Sequence, residues 1–316
     1  MPGGSRRVSD RRASAAALLR VVAAGTCWGL AAVWAKVAFE HGVAPVRLAE
    51  ARVLIALVVL FAILWWWRRE QLRLPRGALA ALVAFGLCVA GVNGTYYVAI
   101  DRLPVGVAVS IQFTAPVILL ALAALRWRGA GGPGRLAWAA AALTLTGAIL
   151  VSRAAEGLHG VDRLGLLAAA ASAFLFAGYL LSAGAAGRRG VPAATVLLWG
   201  FVVALVAWSV VAPWWSWPYS VLNQPKVAIS VLAVGLVGTL VPFFLAVGAV
   251  RVLSPATAGI AASVEPPAAA FLAWVFLGQH LTAVQIVGGA LVVMGVILAH
   301  RTAALSPEAL SVEASP

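Results

Sequence analysis

Acids are scarce in this sequence. Of 316 residues only ten are Asp or Glu, against 23 Lys and Arg, and charged residues of both signs make up 10% of the chain. A soluble domain carries about 25% charged residues. A chain this poor in charge and 63% hydrophobic cannot hide its apolar surface from water by folding alone. Two cysteines, Cys27 and Cys88, lie inside apolar runs and offer neither a disulfide framework nor a CxxC site. The four histidines, His41, His159, His280 and His300, are scattered without metal-ligand spacing. No Walker sequence is present to bind a nucleotide, and Ser and Asp occur outside any nucleophile context. The chain therefore reads as a non-enzyme with no cofactor and no metal.

What is there is apolar sequence in membrane-length runs. Cutting at charges, prolines and glycine clusters gives ten candidate spans: 18–39, 46–67, 77–98, 104–125, 134–152, 163–185, 192–212, 226–249, 254–277 and 282–300. Each is near the ~20 residues a helix needs to cross a bilayer. The first is too long for a cleaved signal peptide and has many successors. The segments 1–17 and 302–316 read as disordered tails. The net charge of +13 is no nucleic-acid signal, because the basic residues sit in short groups between spans. With the N-terminus in the cytoplasm, sixteen Lys and Arg fall on inner segments and five on outer loops. The positive-inside rule then predicts that both termini are cytoplasmic.

The chain also repeats itself. Gly147-Ala148-Ile149-Leu150-Val151-Ser152-Arg153 returns 148 positions later as Gly295-Val296-Ile297-Leu298-Ala299-His300-Arg301, and Gly42-Val43 returns as Gly190-Val191. At offset 150, Leu103, Ala108 and Ala115-Pro116 match Leu253, Ala258 and Glu265-Pro266. The extra length in the first half falls in the Gly129–Gly134 loop. Five spans is an odd number, so the second copy must enter the membrane from the opposite side. Inverted repeats of this kind are a common secondary-transporter plan, with the site near the midplane between them.

Nine of the ten acids lie in tails, near loops or near a span end. Glu265 alone is deep, about eleven residues or ~17 Å into span nine. A charge there costs at least ~2.5–3.5 kcal/mol on insertion scales and should face a cavity or a partner. Pro266 and Pro267 lack amide hydrogens and free carbonyls one turn earlier, around Ile260–Ser263. Such backbone is tolerated only against protein or a water-filled cavity. Glu265 therefore either lines a cavity, as a possible coupling carboxylate, or locks the packing of a neighbouring helix. Gln112, Thr114 and Pro116 lie at similar depth in span four, and Ser263 stands beside the break in span nine. Asn93 and Tyr96 belong to the polar stretch Asn93-Gly94-Thr95-Tyr96-Tyr97 in span three. Trp28, halfway along span one, is either a cavity wall or a lipid-facing ring. Gly235, Gly238, Thr239 and Pro242 read as a hinge or packing seam, Lys36 as an anchor, and Arg52 as an interfacial residue or a partner in the Glu50 neighbourhood.

Several of these residues resemble the EamA family of the drug/metabolite transporter superfamily. They are Trp28-Gly29, Lys36, Pro45, Ala51-Arg52-Val53-Leu54, Ala115-Pro116 and Glu265-Pro266…Phe276-Leu277-Gly278-Gln279. The Glu-Pro form is similar to the threonine/homoserine exporter-like branch. The resemblance covers about residues 20–301 and departs at Gln279, where the family pattern has an acid. It implies an all-α integral membrane protein of ten transmembrane helices in two inverted five-helix repeats, 18–153 and 163–301. It also implies a bacterial inner-membrane carrier that exports amino acids or related metabolites.

The expected function is secondary transport by alternating access. The candidate lining residues are Glu265, Gln112, Thr114, Asn93, Tyr96, Trp28 and Ser263, and Pro116, Pro266 and Pro267 are the helix breaks. Partners are a small-molecule substrate and the lipid bilayer, with no nucleic acid and a homodimer left open. A drug or quaternary-amine exporter is the alternative within transport, and a scaffold or sensor the alternative outside it.

Overall fold

The computed structural model describes residues 3–103, 105–126, 132–154, 162–217, 219–278 and 280–303. The first repeat contains α1 (Gly3–Glu40), α2 (Pro45–Trp67), α3 (Leu79–Arg102), α4 (Val105–Gln112), α5 (Ala115–Arg126) and α6 (Arg135–Val151). The second contains α7 (Arg163–Arg188), α8 (Ala193–Val211), α9 (Pro225–Gly235), α10 (Val241–Ala249), α11 (Pro255–Ala262), α12 (Glu265–Leu277) and α13 (Ala283–Ala303). Among the described residues nine helical segments are long and apolar enough to cross a membrane, and α6 is a shorter apolar helix of the same kind. The pairs α4–α5, α9–α10 and α11–α12 are single spans interrupted in the middle. Ten spans result, within a few residues of the boundaries expected from sequence.

The N-terminus differs from expectation. Residues 3–17, read as a disordered tail, belong to α1. A 38-residue helix is about 57 Å long and outreaches a ~30 Å hydrocarbon core. The membrane helix already supplies the costly nucleus, so extending it backwards through Ala- and Arg-rich sequence is cheap. At the other end α13 closes at Ala303, and the tail 304–316 lies outside the described residues, as does Gln279.

The duplication is visible in the hydrogen bonds. After α1, Gly42 N donates to Phe39 O and Val43 N to Ala38 O; after α7, Gly190 N donates to Gly187 O and Val191 N to Ala186 O. In the interrupted spans, Thr114 N donates to Ile111 O and Ile118 N to Thr114 O, and the second repeat answers with Val264 N to Ala261 O and Ala268 N to Val264 O. The helix packing is two-fold as well. As α3 lies along α7 and α8, so α9 and α10 lie along α1 and α2 together, while α6 packs on α13, its own counterpart. That last seam is glycine-to-backbone. A Cβ on Gly147 would come 2.5 Å from Gly288 O, and one on Gly295 would come 2.8 Å from Ala140 O. The positions pair at the 148-residue offset, and an odd number of spans per repeat makes the second repeat inverted.

Candidate functional site

Glu265 sits at a helix start in mid-span. α11 ends at Ala262, Ser263 and Val264 form a turn, and Glu265 opens α12 with Pro266 and Pro267 in its first turn. Proline fits there because the first helical amides have no intrahelical acceptor to lose. The predicted interruption is therefore real, and it falls just before the Glu-Pro pair. A carboxylate in the first turn lies at the positive end of the helix dipole, which favours negative charge. Glu265 is half-buried at this position. α1 presses close to it: a Cβ on Gly25 would come 3.3 Å from Glu265 N, and one on Gly29 2.7 Å from Ala269 N.

Arg52 is a charged residue that the sequence reading left either at the interface or in the Glu50 neighbourhood. It projects from α2 into the protein, half-buried, about seven residues from the helix start or ~10 Å. Its Nε donates to Thr239 Oγ1 at 2.7 Å, Nη1 to Asn93 Oδ1 at 3.1 Å and Nη2 to Gly238 O at 2.7 Å. Gly238 O is available for a chemical reason. In a regular α-helix it would accept from residue 242, and that residue is Pro242, which has no N–H. The helix widens at 236–240, where Val241 N reaches back to Leu236 O and Thr239 Oγ1 to Val234 O. Wide turns of this kind recur at functional sites. The segment read from sequence as a hinge or packing seam thus also frees a mid-span carbonyl, and the donor that fills it comes from a distant part of the chain.

Arg52, Tyr96 and Tyr179 all lie within electrostatic reach of Glu265. Asn93 joins this group through Arg52, and its own amide donates to Val89 O at 2.8 Å. Trp28 meets Phe243 edge to face at 5.6 Å, and Phe243 lies 5.7 Å from Tyr179, so Trp28 packs into an aromatic wall on the interior. Tyr179 buries its hydroxyl without a hydrogen-bond partner and was not singled out from sequence, because one tyrosine in an Ala- and Leu-rich span carries no positional signal.

Other predicted residues take local roles. Ser263 is buried and donates to Gly259 O at 3.3 Å, and Thr114 donates to Ile111 O at 2.7 Å; both hydroxyls stabilise the breaks they sit in. Gln112 ends α4, half-buried, with no contact that ties it to Glu265. Pro116 is buried in the first turn of α5 against Gly259, so the two interrupted spans cross there. Glu50, near one end of α2, is fully buried with Arg47 Nη1 3.9 Å away. It belongs to a separate cluster with Trp217 beside it.

The comparisons with known proteins agree with this architecture. The model of the EamA-like transporter family matches residues 15–153 and again 163–301. The threonine/homoserine exporter RhtA of Escherichia coli K12 is 28% identical over 263 residues, 82% of this chain and 79% of that protein. Its Salmonella typhimurium counterpart is 29% identical over 248 residues, 78% of this chain and 76% of that protein. The uncharacterized transporter YwfM of Bacillus subtilis is 27% identical, covering 89% and 92%. A solved crystal structure superposes with a TM-score of 0.74 at 20% identity, over 92% of this chain and 98% of the other, which supports the fold. With two family matches spanning nearly the whole chain, this multi-pass membrane protein belongs to the EamA-like transporter family.

Proposed function

We propose that the protein exports amino acids or related small metabolites across the bacterial inner membrane by alternating access. The observation that carries this reading is the Glu265 carboxylate at the start of α12, half-buried at a helix break in mid-span. Ionisable groups inside a membrane protein mark substrate or ion pathways, and interrupted helices at a repeat interface are where transporters bind. RhtA relatives that share most of the chain are exporters of threonine and homoserine. The excess of basic residues on one set of loops supports a reading in which both termini are cytoplasmic.

Coupling is to protons, with Glu265 as the carrier. Among the described residues it is the carboxylate that stands at a mid-span helix break, and a group that alternates between substrate and proton gives antiport directly. Purified protein in liposomes, supplied with a panel of amino acids and cationic drugs with and without a pH gradient, tests the reading. Amino-acid transport should be driven by the gradient, and Glu265→Gln should lose that drive. Wild-type transport rates in Glu265→Gln with an unchanged pH dependence would sink the coupling. Movement of drugs without movement of amino acids would favour the second reading, a cationic-drug exporter. The aromatic wall of Trp28, Phe243 and Tyr179 near a carboxylate is what supports that alternative, since such rings attract cations.

A further inference from the structure

The hydrogen bonds of Arg52 leave it incomplete in a specific way. A guanidinium has five N–H donors. Three are engaged, one on each nitrogen, by Thr239 Oγ1, Asn93 Oδ1 and Gly238 O. Two remain, one on each terminal nitrogen, which is the complement that a carboxylate takes in a forked pair. All three present acceptors are neutral, so they orient the cation without neutralising it. Arg52 is half-buried.

Glu265 is the opposite charge that Arg52 feels, yet the two do not form an ion pair within contact distance among the described residues. Arg52 is held by α3 and the widened turn at 236–240, and Glu265 by the start of α12. A guanidinium and a carboxyl group in a membrane interior, kept apart by their supports, do not neutralise each other directly. A ligand with one positive and one negative group compensates both at once. A pure cation would meet Arg52 as a repulsion, and a pure anion would meet Glu265 the same way.

We propose that Arg52 and Glu265 form a dipolar site for a zwitterion. The ligand's carboxylate lies on the two free N–H groups of Arg52, its ammonium faces Glu265, and its side chain faces the wall of Trp28, Phe243 and Tyr179. The inference rests on the exporter reading and specifies the substrate class as free α-amino acids with both termini charged. It also assigns specificity to Arg52, with Asn93 and Thr239 as its positioning residues.

The test uses the full protein in liposomes with labelled L-threonine as the probe, and competition by L-threonine methyl ester, which lacks the carboxylate, and N-acetyl-L-threonine, which lacks the ammonium. Both competitors should be weaker than threonine by about tenfold or more, because each leaves one buried charge unpaired. Arg52→Gln should weaken threonine to the level of the methyl ester or below, while the ester, relieved of the unpaired cation, competes as well or better; Glu265→Gln should do the same with respect to the N-acetyl compound. If Arg52→Gln does not fold, Arg52→Lys retains the charge without the fork, and the competitor series on the wild-type protein stands without any variant. Threonine transport with equal competition by the ester, or an equal loss for threonine and ester in Arg52→Gln, overturns the dipolar site and leaves the exporter reading intact. A wild-type protein that moves cationic drugs and not threonine overturns both.

Discussion

At equivalent positions the two repeats carry the same backbone and different chemistry. Where the second repeat has Glu265 before its mid-span proline, the first has Ala115; where the first has Arg47 and Arg52, the second has Thr195 and Gly200. The turns after α1 and α7, the breaks before α5 and α12 and the α6–α13 seam recur, but the charges do not, nor does the widened turn at 236–240 that interrupts α9–α10. A duplicated frame positions two interrupted helices symmetrically, and each copy contributes one half-buried residue of opposite sign: Arg52 from the first, Glu265 from the second. Symmetry is kept where helices pack and abandoned in the charges, which is where the proposed dipolar site lies.

The α6–α13 seam is the strongest test of the symmetric part. A Cβ on Gly147 would lie 2.5 Å from Gly288 O and 2.7 Å from Val292 Cγ2, and one on Gly295 2.6 Å from Thr144 Cγ2 and 2.8 Å from Ala140 O. Neither site can yield without moving backbone, so Gly147→Ala and Gly295→Ala should each destabilise by about 1–3 kcal/mol. Gly134→Ala, with open space around its Cβ, should stay within about 0.5 kcal/mol. Thermal unfolding in detergent reads all three. A cost at one seam glycine without the other would break the two-fold description.

The next test concerns the linkers that cover the two ends. At one end Arg47 Nη1 donates to Pro213 O at 3.0 Å and Nη2 to Ser216 Oγ at 2.9 Å, with the buried Glu50 carboxylate 3.9 Å from Nη1. At the other, Thr195 Oγ1 alone donates to Gln71 O at 2.9 Å. A groove of about 500 Å³ lies beside this second latch, lined by Arg20, Gln71, Pro192 and Arg251 among others. One end is thus held by a charged clamp and the other by a single neutral hydrogen bond beside a groove. Arg47→Ala should cost about 1.5–3 kcal/mol and Thr195→Val about 0.5–1.5 kcal/mol. Adding Glu50→Gln to Arg47→Ala should recover part of the loss, because the unpaired buried charge is removed. Equal costs at the two ends would abolish the contrast.

The sequence made the symmetric part readable and much of the asymmetric part unreadable, for one physical reason. Proline, glycine and apolar length act locally: Pro116 and Pro266 announce helix breaks, and ten apolar runs announce ten spans. Glu265 was legible too, because a mid-span acid is costly wherever it points. Arg52 was not. Its partners Asn93, Gly238 and Thr239 stand 41, 186 and 187 positions away, and the same arginine near a span end could equally snorkel to the interface. The helical extension of α1 was missed because polar composition was read as disorder, whereas a helix already nucleated in the membrane propagates through it. Ser263 and Thr114 stand at the helix breaks, where their hydroxyls serve the local backbone.

The smallest expected effect gives the finest comparison. Gly42 has φ +93° and Gly190 has φ +76°, the left-handed region that favours glycine. Both follow the same pair of backbone hydrogen bonds, with Val43 N to Ala38 O at 3.1 Å and Val191 N to Ala186 O at 3.2 Å. Neither glycine has an atom within 4 Å of where a Cβ would be. Crowding therefore plays no part, and the cost of alanine is the backbone conformation alone, about 1 kcal/mol at either site. Asparagine tolerates this region better than alanine, so Gly42→Asn and Gly190→Asn should each lose less than the alanine variants. These four proteins isolate the backbone from the chemistry. Equal small losses in melting temperature with unchanged transport would show that the two helix ends are equivalent parts of the frame. A loss of transport at Gly190 without one at Gly42 would mean that the α7–α8 turn, which starts the span bearing Thr195, also takes part in opening the groove at that end.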